Sequence, residues 1–312
     1  MAGGEDTSAP AAVTPALYTH LVQAVATTPW AIRTEMLAVI TDLLAFRAAG
    51  GRLTNAEIRS RVGAGPEAAR TGVVRAGSVA VIPLRGVIVP RADMYSDVSG
   101  MASLDRFRNR LREAAADDQV QTILCTINSP GGVVDNVPET AAEIMGLRGK
   151  KRMVAIADAQ AASAAYWIGS AFEEFNITPS GEAGSIGVYQ AHTEYSRAMD
   201  KGGVKTTLIR AGRFKAEGNP YQPLTEEAQA AMQKRVDEYY GMFTRDVARG
   251  RGVTVDVVRG GFGEGRVVGA AEAVKLGMAD RVATFEETIR RLQAGAPAPR
   301  TGAGRRSAFS FA

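Results

Sequence analysis

Short apolar runs alternate with stretches of helical spacing through most of this chain. Ser78-Val-Ala-Val-Ile-Pro83 and Gly86-Val-Ile-Val89 read as strands, 104–116 as a helix, 122–127 as a strand and 133–147 as a helix. The pattern continues with a strand at 153–157 and a helix at 161–172. Alternation at this spacing predicts an α/β fold in which a largely parallel sheet is covered by helices. The turns after 127 and 157 then fall at C-terminal ends of strands, where open α/β sheets place their ligand sites.

Farther on, 194–201 reads as helical, 205–210 as a strand, and 224–249 as a long helix capped by Thr225 with Glu226 and Glu227 in its first turn. Its apolar positions Ala228, Met232, Val236, Tyr239, Tyr240 and Phe243 form one stripe, which predicts a face turned to the core or to a subunit contact. Residues 267–276 and 278–282 close the domain. Upstream, 1–15 is polar and reads as disordered, while helical spacing from Pro15 to Gly50, broken near Pro29, predicts two short helices. The expected division is therefore 1–15, a helical extension and connector at 16–76, the main domain at 77–293 and a flexible tail at 294–312.

Composition narrows the function classes. A chain of 312 residues with 46% hydrophobic and only 6% aromatic content holds one sizeable core, and its 34 glycines suit close helix-on-sheet packing. A single cysteine, Cys125, excludes an intramolecular disulfide framework and fits a reducing compartment. Set in an apolar strand, it reads as a small buried hydrophobe. The net charge of +4 is dispersed and no basic run is interleaved with aromatics, so no nucleic-acid partner is expected. No cationic start precedes an apolar stretch, and 16–46 is interrupted by His20, Arg33, Glu35 and Asp42, so neither a signal peptide nor a membrane anchor is expected. No metal or cofactor is expected either.

The candidate chemistry lies in the turns. Ser163 stands in Gln160-Ala-Ala-Ser-Ala-Ala-Tyr-Trp167 directly after an apolar run, and Lys215 follows in Gly212-Arg-Phe-Lys215. This pairing reads as a serine nucleophile with a lysine base. A lysine ammonium, with a reference pKa of about 10.4, must be desolvated or crowded by cations to accept a proton, and Phe214, Arg210 and Arg213 are the neighbours available for that. Gly131 and Gly132, in Asn128-Ser-Pro-Gly-Gly132, read as an oxyanion hole whose backbone N–H donors are worth about 3 kcal/mol each. Taken singly, Ser163 reads as a helix cap, Lys215 as a solvated loop residue and the Gly-Gly stretch as an ordinary turn. Of the two histidines, His20 precedes the predicted sheet and His192 reads as a surface or helix-entry residue, so a histidine base has little support. Small residues at the Ser163 turn, with Tyr166 and Trp167 set behind them, suggest a shallow apolar substrate pocket for small or medium side chains.

These blocks, with Gly184-Ser-Ile-Gly-Val188 and Gly265-Arg-Val-Val-Gly-Ala-Ala-Glu-Ala-Val-Lys-Leu-Gly277, resemble in order the protease IV or signal peptide peptidase A family of serine peptidases, over about 77–293. That resemblance implies the Clp protease and crotonase-like fold of ββα repeats, here with an N-terminal helical extension. It implies Ser163 as nucleophile, Lys215 as general base, Ser185 as the hydroxyl that orients the lysine, and Gly131 and Gly132 as oxyanion donors. It also implies a polypeptide substrate and a ring or dome of identical subunits, in which the site is sometimes completed across subunits. Without an anchor, the nearer comparison is with the soluble enzymes of tailed phages and prophages that cleave scaffold and other head proteins. Scaffold or capsid proteins are then the implied partners, and the bacterial cytoplasm or the phage prohead the implied location. Three alternatives stay open: a signal-peptide-degrading peptidase, an acyl-thioester enzyme on the same scaffold, and a non-enzymatic head-assembly partner.

Overall fold

The computed structural model describes residues 28–51, 73–91 and 101–295, together with Thr54, Glu57 and Ser60. The expectations for 1–15, for a helix before Pro29, for most of the connector and for the tail beyond Gly295 lie outside the described residues.

Strands β2 (Val74–Ala76), β3 (Val79–Arg85), β6 (Thr122–Ser129), β8 (Arg152–Ala162), β10 (Glu182–Gly184) and β11 (Val267–Gly269) form the main sheet in the order β11-β10-β8-β6-β3-β2. Strand β9 (Glu174–Ile177) pairs with the first half of β8 and with β12 (Arg281–Val282). The inner pairs β3/β6, β6/β8 and β8/β10 are parallel and the outer pairs β2/β3 and β10/β11 antiparallel. Residues 122–127 are buried throughout, as expected of a parallel strand covered on both faces. A second, small sheet has the order β1-β7-β4-β5, built from Trp30–Ile32, Gly131–Val133, Ile88–Val89 and Ala102–Ser103.

The helices are α1 (Thr34–Ala48), α2 (Leu104–Ala116), α3 (Val137–Leu147), α4 (Ala164–Ser170), α5 (Ser196–Lys201), α6 (Glu226–Arg251), α7 (Val255–Gly261), α8 (Ala270–Lys275) and α9 (Phe285–Gln293). The α/β class and the long helix are as predicted: Thr225 accepts from Ala228 N–H at the start of α6, and Gly252 ends it in the left-handed conformation. Helices α4 and α6 cross closely because Gly250 has no side chain, since a Cβ there would stand 2.2 Å from the Ser170 carbonyl oxygen.

Four boundaries differ from the sequence pattern. The helix expected at 133–147 starts at Val137, because 131–133 pairs as β7. The strand ending near Ala157 runs on to Ala162, because β10 gives its second half a partner. The break near Pro29 is followed by strand β1, not by a second helix at once. The strand expected at 205–210 is irregular: among the described residues no strand pairs with it, and Ile209 is 98% exposed.

Candidate active site

Strand β8 ends at Ala162 and α4 begins at Ala164, so Ser163 is the elbow between them. Its backbone lies at φ 56° and ψ −120°, a region glycine adopts freely and serine rarely. The hydroxyl makes no capping hydrogen bond to α4. The helix-cap reading therefore fails, and the strained turn turns Oγ toward Gly187, whose carbonyl oxygen it donates to at 3.5 Å.

Neighbouring strand ends converge on this elbow. Ser163 N–H donates to the Gly184 carbonyl at 2.7 Å, and Ser185, at φ 53°, follows directly as β10 ends. Gly131 abuts the serine from the other side: at φ +99°, a Cβ on it would stand 2.2 Å from the Ala31 carbonyl oxygen and 3.0 Å from Ser163 Cβ. A Cβ on Gly132 would meet the Ile88 carbonyl oxygen at 2.0 Å, so neither glycine can carry a side chain without displacing backbone. The two N–H groups have different duties. Gly131 donates to Ser129 Oγ at 3.2 Å. Gly132 faces Ala31 in the β1/β7 ladder, and because Arg33 N–H donates to the Pro130 carbonyl at 3.0 Å, antiparallel alternation makes Ala31 and Gly132 the next hydrogen-bonded pair.

Ser163 thus adjoins Gly131 on one side and the end of β10, just before Ser185, on the other, and among the described residues Lys215 makes no hydrogen bond or ion pair to any of them. It is exposed in the turn after Gly212, and among the described residues its ammonium has no hydrogen-bond or ion-pair partner. Arg213 pairs with Glu227 at 2.9 Å, which ties this turn to the start of α6. Helix α6 is packed into the core from Phe243 onward, with Gly250 against Ser170 and Asp246 against Trp167. It therefore runs in the same direction as α4, and its first half projects past the Ser163 end, about 25 Å from Phe243 to Glu226.

Tyr166 and Trp167 are corrected. Both are fully buried: the Tyr166 hydroxyl donates to the Met278 carbonyl at 2.9 Å, and Trp167 Nε1 donates to Asp246 Oδ2 at 2.9 Å while its ring stacks on Phe243 at 4.5 Å. They are core anchors of α4, because a helix held between a sheet and α6 has no solvent face. Burial also pushes the Tyr166 phenol and the Cys125 thiol up, and Cys125 lies wholly within the core, as expected of a small hydrophobe. His192 is half-buried in the loop before α5.

Sequence reasoning missed two parts of the site. Ser129 follows the predicted strand and accepts from Gly131. The segment Trp30-Ala-Ile32 pairs with the glycine strand beside the elbow, and three apolar residues after a proline are too short a run to separate a strand from a helix start. Beside it, Tyr189 has its phenol pushed up to about 12, mainly by burial and secondarily by the Glu35 charge.

The model of peptidase family S49 matches residues 146–298, a stretch containing Ser163, Ser185 and Lys215. The chain is 35% identical over 225 residues to the capsid assembly protease C of Escherichia phage lambda, covering 72% of this chain and 51% of that protein. It is 34% identical over 211 residues to the head-tail preconnector protein GP5 of Enterobacteria phage P21, covering 68% of this chain and 42% of that one. Against protease 4 of Haemophilus influenzae it is 24% identical over 217 residues, 69% of this chain and 34% of the other. The chain thus spans about half or less of the length of these relatives.

Proposed function

Residues 146–298 are a domain of peptidase family S49, and on that premise we propose that this chain is a serine endopeptidase of phage or prophage head maturation, cutting scaffold or other head polypeptides. The observation that carries the reading is the strained, uncapped Ser163 at a strand-to-helix elbow, with side-chain-free Gly131 against its Cβ. The relatives named for capsid assembly and for the head-tail preconnector support the head-maturation role. Among the described residues no helix is long and apolar enough to cross a membrane.

In the proposed reaction, Ser163 Oγ attacks the carbonyl carbon of the scissile peptide while a neutral lysine amine takes the hydroxyl proton. The carbonyl oxygen becomes an oxyanion beside the Gly132 N–H, a donor whose direction is set by β7 before the reaction. Collapse expels the amine, which receives the proton from the lysine, and leaves an acyl-Ser163. Water, deprotonated by the same lysine, then releases the acid. Lys215 is the lysine we assign, and it acts on the serine of a second copy: it is exposed and unpartnered on an arm that projects past its own elbow, with Ile209 98% and Phe214 52% exposed beside it.

The test is labelling by a fluorophosphonate probe together with cleavage of an unfolded casein substrate. Wild type should label and cleave, Ser163→Ala should do neither, and Lys215→Ala should lose at least about a hundredfold in rate. A wild type that is folded yet neither labels nor cleaves would overturn the reading in favour of an assembly partner.

A further inference from the structure

A polypeptide cannot be cut by a serine it cannot reach, and Ser163 is only 1% exposed. Strand β1 is among its neighbours, because the Ala31 carbonyl oxygen and Ser163 Cβ approach the same point beside Gly131. The backbone of Trp30 exchanges both hydrogen bonds with Tyr189, its N–H donating at 2.8 Å and its carbonyl accepting at 3.0 Å. The backbone of Ala31 points the opposite way, into β7 opposite Gly132. The strand is therefore seated between the glycine strand on one side and the segment after Ser185 on the other. Its central carbonyl, that of Ala31, and Ser163 Cβ both stand within 3.0 Å of the point a Gly131 Cβ would occupy. Beyond Ile32 the cleft continues as a groove of about 370 Å³ lined by Arg33, Ser185, Gly187 and Tyr189. Arg33 pins the strand's exit by an ion pair with Glu182 at 3.0 Å.

An extended backbone paired on both sides, with a small residue over the nucleophile and its carbonyl oxygen on the Gly132 N–H, has the geometry required of a bound substrate. We propose that this cleft is the peptide-binding site and that the chain's own Trp30–Ile32 fills it as an intramolecular occupant, so that β1 must leave before another polypeptide can be cut. The inference rests on Ser163 being the nucleophile of the proposed peptidase. Trp30 and Ile32 pack with Leu37, Ile40 and Val87 in a small cluster of their own and only the methyl group of Ala31 reaches the main core, so release of β1 withdraws one small side chain from the body of the fold.

Accessibility can be read without catalysis by placing a thiol at the elbow. In the full chain, Ser163→Cys is treated with iodoacetamide, alone and combined with Ala31→Pro, which removes a ladder N–H, or with the milder Ile32→Ala. Buried Cys125 serves as an internal reporter that the body remains folded. Alkylation of the introduced thiol should be about tenfold faster in both combinations while Cys125 stays unmodified. A synthetic peptide spanning residues 28–35 should slow it again. Equal rates in all three proteins would overturn the inference and make β1 a fixed strand of the small sheet. Fluorophosphonate labelling of the same backgrounds carrying Ser163 separates the two ideas. Faster alkylation with no labelling anywhere sinks the peptidase and keeps the occlusion, whereas strong labelling that β1 variants leave unchanged, with equal alkylation rates, does the reverse.

Discussion

Ser163 holds a backbone conformation that costs a serine about 1–3 kcal/mol and a glycine almost nothing. Replacing it with glycine therefore removes strain together with the hydroxyl, less the extra freedom that glycine gains in the unfolded chain. Ser163→Gly should raise stability by about 1 kcal/mol in thermal or urea denaturation while abolishing peptide cleavage. A fall in stability would mean that the hydroxyl bears structural weight. At this scale the sequence was informative about identity: the serine, its alanine neighbours and the paired glycines are read directly. It was silent about the sign of φ at Ser163 and Ser185, which follows from where the neighbouring strands end.

Helix α4 has seven residues and all of them are buried, so nothing in its periodicity marks a face for substrate. Tyr166→Phe should cost about 1 kcal/mol through the lost hydrogen bond to Met278 and leave KM for a peptide substrate unchanged. A raised KM with unchanged stability would restore the pocket reading. Helices α2 and α3 are joined by Glu143, which accepts from Arg108 at 2.7 Å and from Arg112 at 2.6 Å. Burial pushes its carboxyl up, but the hydrogen bonds from Arg112 and Arg108 outweigh this and hold it below its ordinary value. A carboxyl depressed in this way adds stability above its unfolded pKa of about 4.3, and that stability is lost as the pH falls through the folded value. Glu143→Gln should therefore cost about 1 kcal/mol at pH 7, and the difference from wild type should shrink below about pH 4 in urea denaturation.

Across the whole molecule the decisive feature is the separation of the body, which holds both serines and the glycines, from the arm that holds Lys215. If each site takes its serine from one copy and its lysine from the next, a mixture of Ser163→Ala and Lys215→Ala subunits regains activity. With equal amounts and free exchange, about a quarter of the sites are intact, so close to a quarter of the wild-type rate is expected in the casein assay. A mixture as inactive as either parent would place the dyad within one chain. The same mixture in analytical ultracentrifugation reports whether the exposed Ile209 and Phe214 are covered by a neighbour.

By itself the sequence determined what is local. The alternation of apolar runs and helical spacings yields the α/β class, the cap at Thr225 the start of the long helix, and the Ser-Pro-Gly-Gly and Ala-Ser-Ala turns the chemistry. Each depends on residues within a turn or two of one another. The tertiary structure alone decided which distant pieces meet. The three residues of β1 are too few to show a period, and their partners at 131–133 and 189 are far along the chain, so only the assembled sheet reveals that they lie beside the Ser163 elbow. Trp167 became core because α6 closes over α4, and Tyr166 because its ring meets Phe175 and its hydroxyl the Met278 carbonyl. Lys215 is exposed on a turn that the Arg213–Glu227 ion pair ties to the start of α6. Spacing along a chain carries no measure of such distances, which are set by nonlocal pairing and by which faces of the helices find a surface to bury.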